Sequence, residues 1–448
     1  MHSTCRYLKV SAIAAAVLLL SAAANAAEVD LAPAVATVPD FKLTAAGYFN
    51  AATGKVDGPV VVHVIGDRIQ RVGVGDNAVA AALAEGPVED LGAVFLSPGF
   101  IDAHVQLLAE PETNHGEQLN AGLPRQVING VIAAETTLRA GVTTVRMLGA
   151  PGYGGVALRD AITEGDVIGP RILTAGVAIC ITGAHCGGEY RLPYEANPAH
   201  TGVADGPWAA RRLVRQNRKF GADLITTCSS DGAASKGADA GAPQGTLEEL
   251  QAIVEEANSY GMTVACGAHG ATAIKVALKA GVDSIEHASF IDDEGIRLAK
   301  ANDAALVMDI YGTEYLLSAG ETAGALPESM EKERRVGQIQ RDNFRKAHDA
   351  GVRLVFGTDA GVFPHGDNLR QLSRMVDYGM TPAEALQAAT IHAAKLLGIE
   401  GEVGELRAGA SADFVVLPAN PLEDISVVMQ PITVYRAGTP YDGVTRSN

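Results

Sequence analysis

The chain has 448 residues, 47% of them hydrophobic, and carries a formal net charge of −17 at pH 7. This length exceeds one average domain but suits a barrel of roughly 250 residues with a smaller companion. The acidic balance argues against nucleic-acid binding, because phosphate contacts need clustered Lys and Arg, which the sequence lacks. We therefore expect a protein that acts on a small molecule.

The first residues have the pattern of a secretory signal. A basic start precedes an apolar run over residues 10–20, and the small residues 24–26 follow. This pattern predicts that residues 1–26 are removed by cleavage near Ala26. The apolar run is too short for a membrane anchor, and Cys5 precedes that run instead of standing at the cleavage point. We expect a soluble periplasmic or secreted protein with no membrane attachment after cleavage.

From residue 94 onward, short β-rich segments alternate with longer helical ones. This alternation is typical of βαβ units and a parallel sheet. The eight strand candidates are Val94–Val105, Val142–Met147, Arg171–Ile179, Asp223–Cys228, Thr263–Ala268, Ser284–His287, Ala305–Tyr311 and Arg353–Thr358. Eight such strands predict an α/β fold, a (β/α)8 TIM-type barrel over residues 94–404.

Local signals mark where helices begin. Thr246 followed by Glu249 predicts a capping box, in which each residue satisfies a backbone N–H of the first helical turn. Thr381, Pro382 and Glu384 fit the preferences of the residue before a helix and of its first turn. These signals place two helices of the barrel independently of any tertiary contact.

The two ends of the chain have a different pattern. Residues 60–69 predict a hairpin, and residues 412–417 and 432–436 predict further strands. We expect residues 27–93 and 405–448 to pair into one small β domain beside the barrel.

Four cysteines remain after cleavage of the signal. An oxidising compartment permits a disulfide between Cys180 and Cys186, and their short separation allows that pairing without establishing it. Cys228 and Cys266 lie in apolar, strand-like segments, where a small buried thiol is the expected state.

Polar residues that close a barrel strand are candidates for the active site, because such sites lie at the C-terminal ends of the strands. A single histidine there is more often a structural hydrogen-bonding residue than a ligand. Several histidines and an aspartate on the same face instead indicate a functional site. The candidates are His104, Gln106, His185, His269, His287 and Asp359.

Two further polar features have competing interpretations. His365 and Asp367 follow the last predicted strand, and they either contact substrate or cap the next helix. The charge-rich stretch Glu328–Arg345 is interpreted as the solvated face of a helix.

Four segments resemble the amidohydrolase superfamily, namely Ser97–His104, Gly281–Glu294, Gly357–Asp367 and Gly379–Thr390. The resemblance covers nearly the whole mature chain. It is nearest to the imidazolonepropionase-like branch, which includes Xaa-Pro dipeptidases, related metallocarboxypeptidases and ochratoxin-cleaving amidases. It implies a barrel with a β-sandwich made from both chain ends. It also implies a two-metal site, held by a His-x-His pair on the first strand, a carboxylated Lys on the fourth, one His each on the fifth and sixth, and an Asp on the eighth.

Carried over position by position, the resemblance keeps three of these metal ligands. They are His104 on the first strand, His287 on the sixth and Asp359 on the eighth. The resemblance also implies that His269 and His185 are pocket residues on the substrate side and not ligands.

Three ligand positions depart from the family pattern. Gln106 stands in place of the second histidine of the first strand, Thr226 in place of the Lys, and Gly267 in place of the fifth-strand histidine. A bound metal lowers the pKa of water from about 15.7 to about 7, which is worth roughly 12 kcal/mol toward hydroxide. No single Asp or His replaces that effect. Either a reduced site holds one zinc or another divalent ion on two His and one carboxylate, or no metal binds.

Three functions are compatible with these residues. The first is hydrolysis of an amide or related C–N bond in a small molecule by a reduced metal site, with Asp359 as base. The second is a metal-independent lyase, isomerase or cyclase that uses Asp359, His287, His269 or His185 as acid and base. The third is a non-catalytic periplasmic binding protein. The sequence names no substrate, and it leaves an oligomer open.

Overall fold

The computed structural model describes residues 39–111, 122–184, 186, 202–232, 241–319 and 327–443. These residues fall within one unit of the chain. The predicted signal, residues 1–26, lies outside them. Within the described ranges, no helix has the length and apolar character needed to cross a bilayer.

The strands of the described residues follow in chain order: β1 (Asp40–Ala45), β2 (Gly47–Asn50), β3 (Lys55–Asp57), β4 (Val60–Ile65), β5 (Arg68–Val74), β6 (Glu89–Asp90), β7 (Phe95–Pro98), β8 (Phe100–Val105), β9 (Val142–Met147), β10 (Arg171–Thr174), β11 (Ile225–Cys228), β12 (Val264–Ala268), β13 (Ser284–His287), β14 (Ala305–Val307), β15 (Leu354–Val355), β16 (Phe414–Leu417), β17 (Thr433–Arg436) and β18 (Thr439–Asp442).

The α-helices of the same residues are α1 (Asp76–Glu85), α2 (Leu123–Arg139), α3 (Gly154–Glu164), α4 (Pro207–Lys219), α5 (Leu247–Asn258), α6 (Ala271–Ala280), α7 (Asp293–Ala301), α8 (Gly312–Ala319), α9 (Pro327–Asp349), α10 (Arg370–Asp377), α11 (Pro382–Ala388) and α12 (Ile391–Leu397). The predicted capping box and the second predicted helix start are confirmed, and the second also forms a capping box. Thr246 caps α5 with Glu249, and Thr381 caps α11 with Glu384.

Eight parallel strands, β8 to β15, form the barrel. Three of them pair in the order β10-β9-β8 and five in the order β11-β12-β13-β14-β15. Backbone bridges join the two groups on both sides. Ile179, beyond β10, bridges Thr227, and Val105 of β8 bridges Ala360, beyond β15. The predicted (β/α)8 barrel is confirmed.

The prediction that residues 94–105 form one continuous barrel strand is wrong. β7 pairs with β16 and β2 in the sheet made by the chain ends, whereas β8 pairs with β9 in the barrel. Gly99 separates β7 from β8, and a Cβ at this position would clash with the side chain of Thr143. The chain therefore passes from one sheet to the other at a residue that has no side chain.

Both chain ends contribute to the smaller β region. One sheet has the order β5-β4-β1-β6, and the other, β18-β17-β16-β7-β2-β3, joins strands from the two ends. Buried residues of both sheets share one apolar cluster that includes Leu43, Val62, Leu96 and Phe414. This arrangement is the β-sandwich that the family resemblance implies. The domain limits at residues 93 and 405 stay a prediction.

A disulfide joins Cys186 to Cys228, and Cys180 and Cys266 are buried. The pairing of Cys186 with Cys180, which the sequence allowed without establishing it, is therefore not the one formed, and the expected free thiol at Cys228 is wrong. Cys228 ends β11, and the bridge between Ile179 and Thr227 brings the chain beyond β10 beside that end. The Cα atoms of the bonded cysteines lie 6.2 Å apart, which is within the range that a disulfide spans.

We expect the double variant Cys186→Ser/Cys228→Ser to unfold more easily than the wild type. The disulfide closes a loop of 42 residues, and loss of such a constraint costs about 4 kcal/mol by chain entropy. Urea unfolding under non-reducing conditions measures the difference. The control Cys180→Ala should cost only about 1 kcal/mol. A double variant no less stable than this control contradicts the pairing.

Candidate active site

The predicted histidines and aspartate meet at the C-terminal ends of the barrel strands. His104 lies on β8, His287 ends β13, and Asp359 follows β15. One ligand atom from each of these three residues lies within 4.8 Å of the other two. The structure therefore brings together the three residues that the resemblance keeps as metal ligands.

His104 lies between two carboxylates. Its Nε2 is 3.2 Å from Asp359 Oδ1, and its Nδ1 is 3.2 Å from Glu286 Oε2. Burial lowers the pKa of His104, but the carboxylates of Asp359 and Glu286 outweigh burial and raise that pKa to about 10. This position thus favours a positive charge, either on the imidazole or on a cation beside it.

Glu286 is itself held by a buried cation that the sequence interpretation missed. Arg146 Nη2 donates to Glu286 Oε1 at 2.8 Å, and Arg146 Nε donates to the Ala103 carbonyl at 2.6 Å. Burial raises the pKa of Glu286, but Arg146 and then His104 outweigh it, so that this pKa is lowered overall. An arginine inside the otherwise uncharged strand β9 was the available signal.

His287 is oriented by Asp309, a second residue that the sequence interpretation missed. Its Nδ1 lies 3.0 Å from Asp309 Oδ1. Burial lowers the pKa of His287, but the Asp309 carboxylate outweighs it and leaves this pKa above its ordinary value. With Nδ1 bonded to Asp309, Nε2 is the ring nitrogen that can serve a metal or a substrate. An acidic residue two positions after the apolar strand β14 could have indicated this partner.

The turn after β13 has unusual backbone conformations. His287 has φ of +66° and Ala288 has φ of +50°. Non-glycine residues in this left-handed region cost of order 1–3 kcal/mol each and are concentrated at functional sites. The turn therefore needs contacts from its surroundings to hold it.

His269 stacks on His287. Their ring centroids are 4.4 Å apart and the planes differ by 9°. Nδ1 of His269 lies 2.8 Å from Ser289 Oγ, and its backbone N–H donates to Ser230 Oγ at 2.8 Å. His269 is thus next to the three converging residues, as a pocket residue should be.

The other two predicted pocket histidines have different outcomes. His185 lies outside the described residues. His365 lies in the loop after β15, where its Nε2 is 3.0 Å from the Ala109 carbonyl. Burial lowers the pKa of His365, so the neutral ring donates Nε2–H to that carbonyl. It does not cap α10, since Leu369 is the residue before that helix. Its contact with substrate stays a prediction.

The three replaced ligand positions lie at the same end of the barrel. Gln106 Nε2 donates to the Leu148 carbonyl at 3.2 Å. Thr226 is buried. A Cβ on Gly267 would lie 3.4 Å from Cys228 Sγ. These three positions therefore offer an amide that is already bonded, a hydroxyl, and a glycine beside the disulfide.

Asp102 fixes the position of Asp359 relative to His104. Its Oδ2 accepts from Thr358 Oγ1 at 2.6 Å and from Asn368 Nδ2 at 2.8 Å. Its Oδ1 accepts from the backbone N–H groups of His104 and Thr358, both at 3.1 Å. Burial raises the pKa of Asp102 to about 6, although these donors lower it. One carboxylate thus ties β8 to the residues directly before Asp359.

The residues present fit one divalent cation. Two imidazoles and one carboxylate form a common ligand set for transition metals. Each ligand histidine has its Nδ1 against a carboxylate, Glu286 for His104 and Asp309 for His287. The contact of His287 with Asp309 is a hydrogen bond, of the kind that orients a metal-binding histidine and raises its basicity, whereas Glu286 faces His104 as an ion pair. The site accordingly has both the ligands and the supporting contacts of a mononuclear centre.

Comparison with known proteins gives a consistent result. A sequence model described as Amidohydrolase family matches residues 95–440. Ochratoxinase from Aspergillus niger is 34% identical over 315 residues, which cover 66% of this chain and 64% of that protein. The crystal structure of a Xaa-Pro dipeptidase with bound methionine in the active site is 34% identical, with a TM-score of 0.83, and covers 90% of this chain and 100% of that one. Imidazolonepropionase from Chromobacterium violaceum is 26% identical over 392 residues, 77% of this chain and 82% of that protein.

We expect Asp102→Asn to destabilise the protein by about 3 kcal/mol. The carboxylate oxygens of Asp102 accept hydrogen bonds from four donors, whereas the amide of Asn would point its own N–H groups at some of these donors and leave them unpaired. Urea unfolding at pH 7.5 measures the loss. The matched variant Asp166→Asn, at an exposed position, should change stability by at most about 0.5 kcal/mol. Equal effects of the two substitutions would show that Asp102 does not fasten the barrel.

Proposed function

Because the chain belongs to the amidohydrolase family, we propose that it hydrolyses an amide bond in a small molecule whose leaving group is an amino acid. The observation that carries this proposal is the convergence of His104, His287 and Asp359 within 4.8 Å. The signal-like residues 1–26 add the proposal that the enzyme acts in the periplasm or outside the cell.

We propose that His104, His287 and Asp359 hold one zinc or similar divalent ion. When bound, the ion would polarise the scissile carbonyl and promote ionisation of the attacking water. The charges around the site support this assignment, since Asp359 and Glu286 both face His104 and favour a cation there.

The proton transfers fall to residues of the chain. A carboxylate has two oxygens, so Asp359 could serve the ion through one of them while the other accepts a proton from water. The same carboxyl then returns that proton to the leaving nitrogen. His269, which Ser289 holds against His287, donates a hydrogen bond to the substrate.

The proposed leaving group rests on the relatives. The Xaa-Pro dipeptidase acts, by its name, on a peptide bond, and it has methionine bound in its active site. Ochratoxinase is a relative of comparable identity. Both support an amide substrate, and the dipeptidase supports the release of an amino acid. The lyase, isomerase or cyclase considered from the sequence receives no support from these relatives, and neither does the binding protein.

We expect protein purified without chelators to contain about one divalent ion per chain and to cleave members of a panel of dipeptides and N-acyl amino acids. Chelation should abolish the activity, and added zinc should restore it. Plasma mass spectrometry and amino-acid release measure the two quantities. His104→Ala should lose both metal and activity, while His63→Ala, in β4 of the smaller β region, should keep both.

Full activity in metal-free protein would overturn the metal site. Absence of cleavage across the panel in metal-loaded protein would overturn the amide substrate.

The triple variant Gln106→His/Thr226→Lys/Gly267→His should bind about two ions per chain, because it restores the ligands of the two-metal pattern. A Cβ at position 267 meets Cys228 Sγ at ordinary contact distance, 3.4 Å, so a side chain can begin there without a clash. Metal analysis of the triple variant beside its three single variants tests this expectation. A stoichiometry unchanged from wild type would contradict the assignment of these positions.

A further inference from the structure

The long helix α9 has a buried face directed at the active site. The sequence interpretation of residues 328–345 as a solvated helix face is correct for Gln338 and Ile339, which are exposed. It is wrong for Gln340, which is only 4% exposed. A buried glutamine needs partners for its amide, because an unsatisfied amide in the interior is costly.

The partners of Gln340 are the two groups that control His287. Gln340 Nε2 donates to Asp309 Oδ1 at 3.0 Å and to the His287 carbonyl at 3.0 Å. The same Asp309 oxygen lies 3.0 Å from His287 Nδ1. One amide nitrogen therefore contacts both the backbone of the histidine and the carboxylate that orients its ring.

This contact falls on the strained turn after β13, where His287 has φ of +66°. A donor to the His287 carbonyl opposes relaxation of that backbone. A donor to Asp309 Oδ1 keeps the carboxylate in the orientation that meets His287 Nδ1. Loss of the amide would release both restraints together.

A second side chain of α9 supports the same arrangement. Asn343, one turn after Gln340, donates through Nδ2 to the Ser289 carbonyl at 2.8 Å. Ser289 is the residue whose hydroxyl meets Nδ1 of His269. The helix therefore contacts the turn at His287 itself and at Ser289, the partner of His269.

We propose that Gln340 is a positioning residue, which holds Asp309 and the His287 backbone so that Nε2 of His287 faces the active site. Its effect on catalysis rests on the proposed amide hydrolysis. Its effect on the His287 ring does not, so the two parts can be tested separately.

The test uses the full chain with ¹⁵N-labelled histidine. Gln340→Met removes the donors and keeps the length of the side chain, and Gln340→Glu keeps its shape but places a carboxylate beside Asp309. Gln338→Met is the matched control, because Gln338 lies on the same helix and donates only to the exposed Asp342 among the contacts that the structure describes. Thermal unfolding confirms that each variant is folded.

We expect the imidazole ¹⁵N signals of His287, assigned with His287→Asn, to report protonated Nδ1 and unprotonated Nε2 in the wild type. Both Gln340 variants should shift these signals toward a mixture of tautomers, and Gln338→Met should not. With an amide substrate, kcat should fall about 10–100-fold in the Gln340 variants while KM changes little.

Unchanged His287 signals in folded Gln340→Met and Gln340→Glu would overturn the positioning role, and so would equal loss of kcat in Gln338→Met. Shifted signals in a protein that cleaves no amide would support the positioning role and overturn the proposed function alone.

Discussion

The closure of the barrel between its first and last strands sets the geometry of everything at its C-terminal end. Asp102 and Thr358 are 256 residues apart in the chain, yet a carboxylate buried in the core joins them. The same carboxylate receives the backbone N–H of His104. His104 and Asp359 thus stand side by side because their immediate neighbours share one acceptor.

The site is built from buried charges of alternating sign. Arg146 pairs with Glu286, Glu286 faces His104, and His104 faces Asp359. Removing one partner of such a series leaves an uncompensated buried charge, which is strongly destabilising. The series ends at Asp359, whose side chain is 16% exposed. The same carboxylates that favour a charged His104 would also stabilise a metal ion there.

The departures from the two-metal pattern concern three of its six ligand positions. His104 and His287 keep a carboxylate beside Nδ1, whereas Gln106, Thr226 and Gly267 stand where the pattern has two histidines and a lysine. The protein therefore retains three ligands of the pattern and lacks the other three. These residues support the proposed hydrolase with a single ion.

Much of the scaffold follows from local patterns in the sequence. The capping boxes at Thr246 and Thr381 depend on residues three positions apart, and the strand alternation is readable along the chain. The residues that close strands, such as His104 and Asp359, were predictable for the same reason, because parallel strands place their C-terminal ends on one face. The assignment of particular residues as metal ligands also required the family motifs.

Only the tertiary structure decided which partners those residues have. Arg146 meets Glu286 across 140 residues of chain, and Gln340 reaches His287 across 53. The sequence indicated a buried free thiol at Cys228, whereas in the structure Cys186, from the chain beyond β10, is bonded to it. No local pattern encodes such contacts, since they depend on which elements the closed barrel makes neighbours. The sequence by itself determined which residues stand at the mouth of the barrel, and the packing of strands and helices determined how each one is charged, oriented and held.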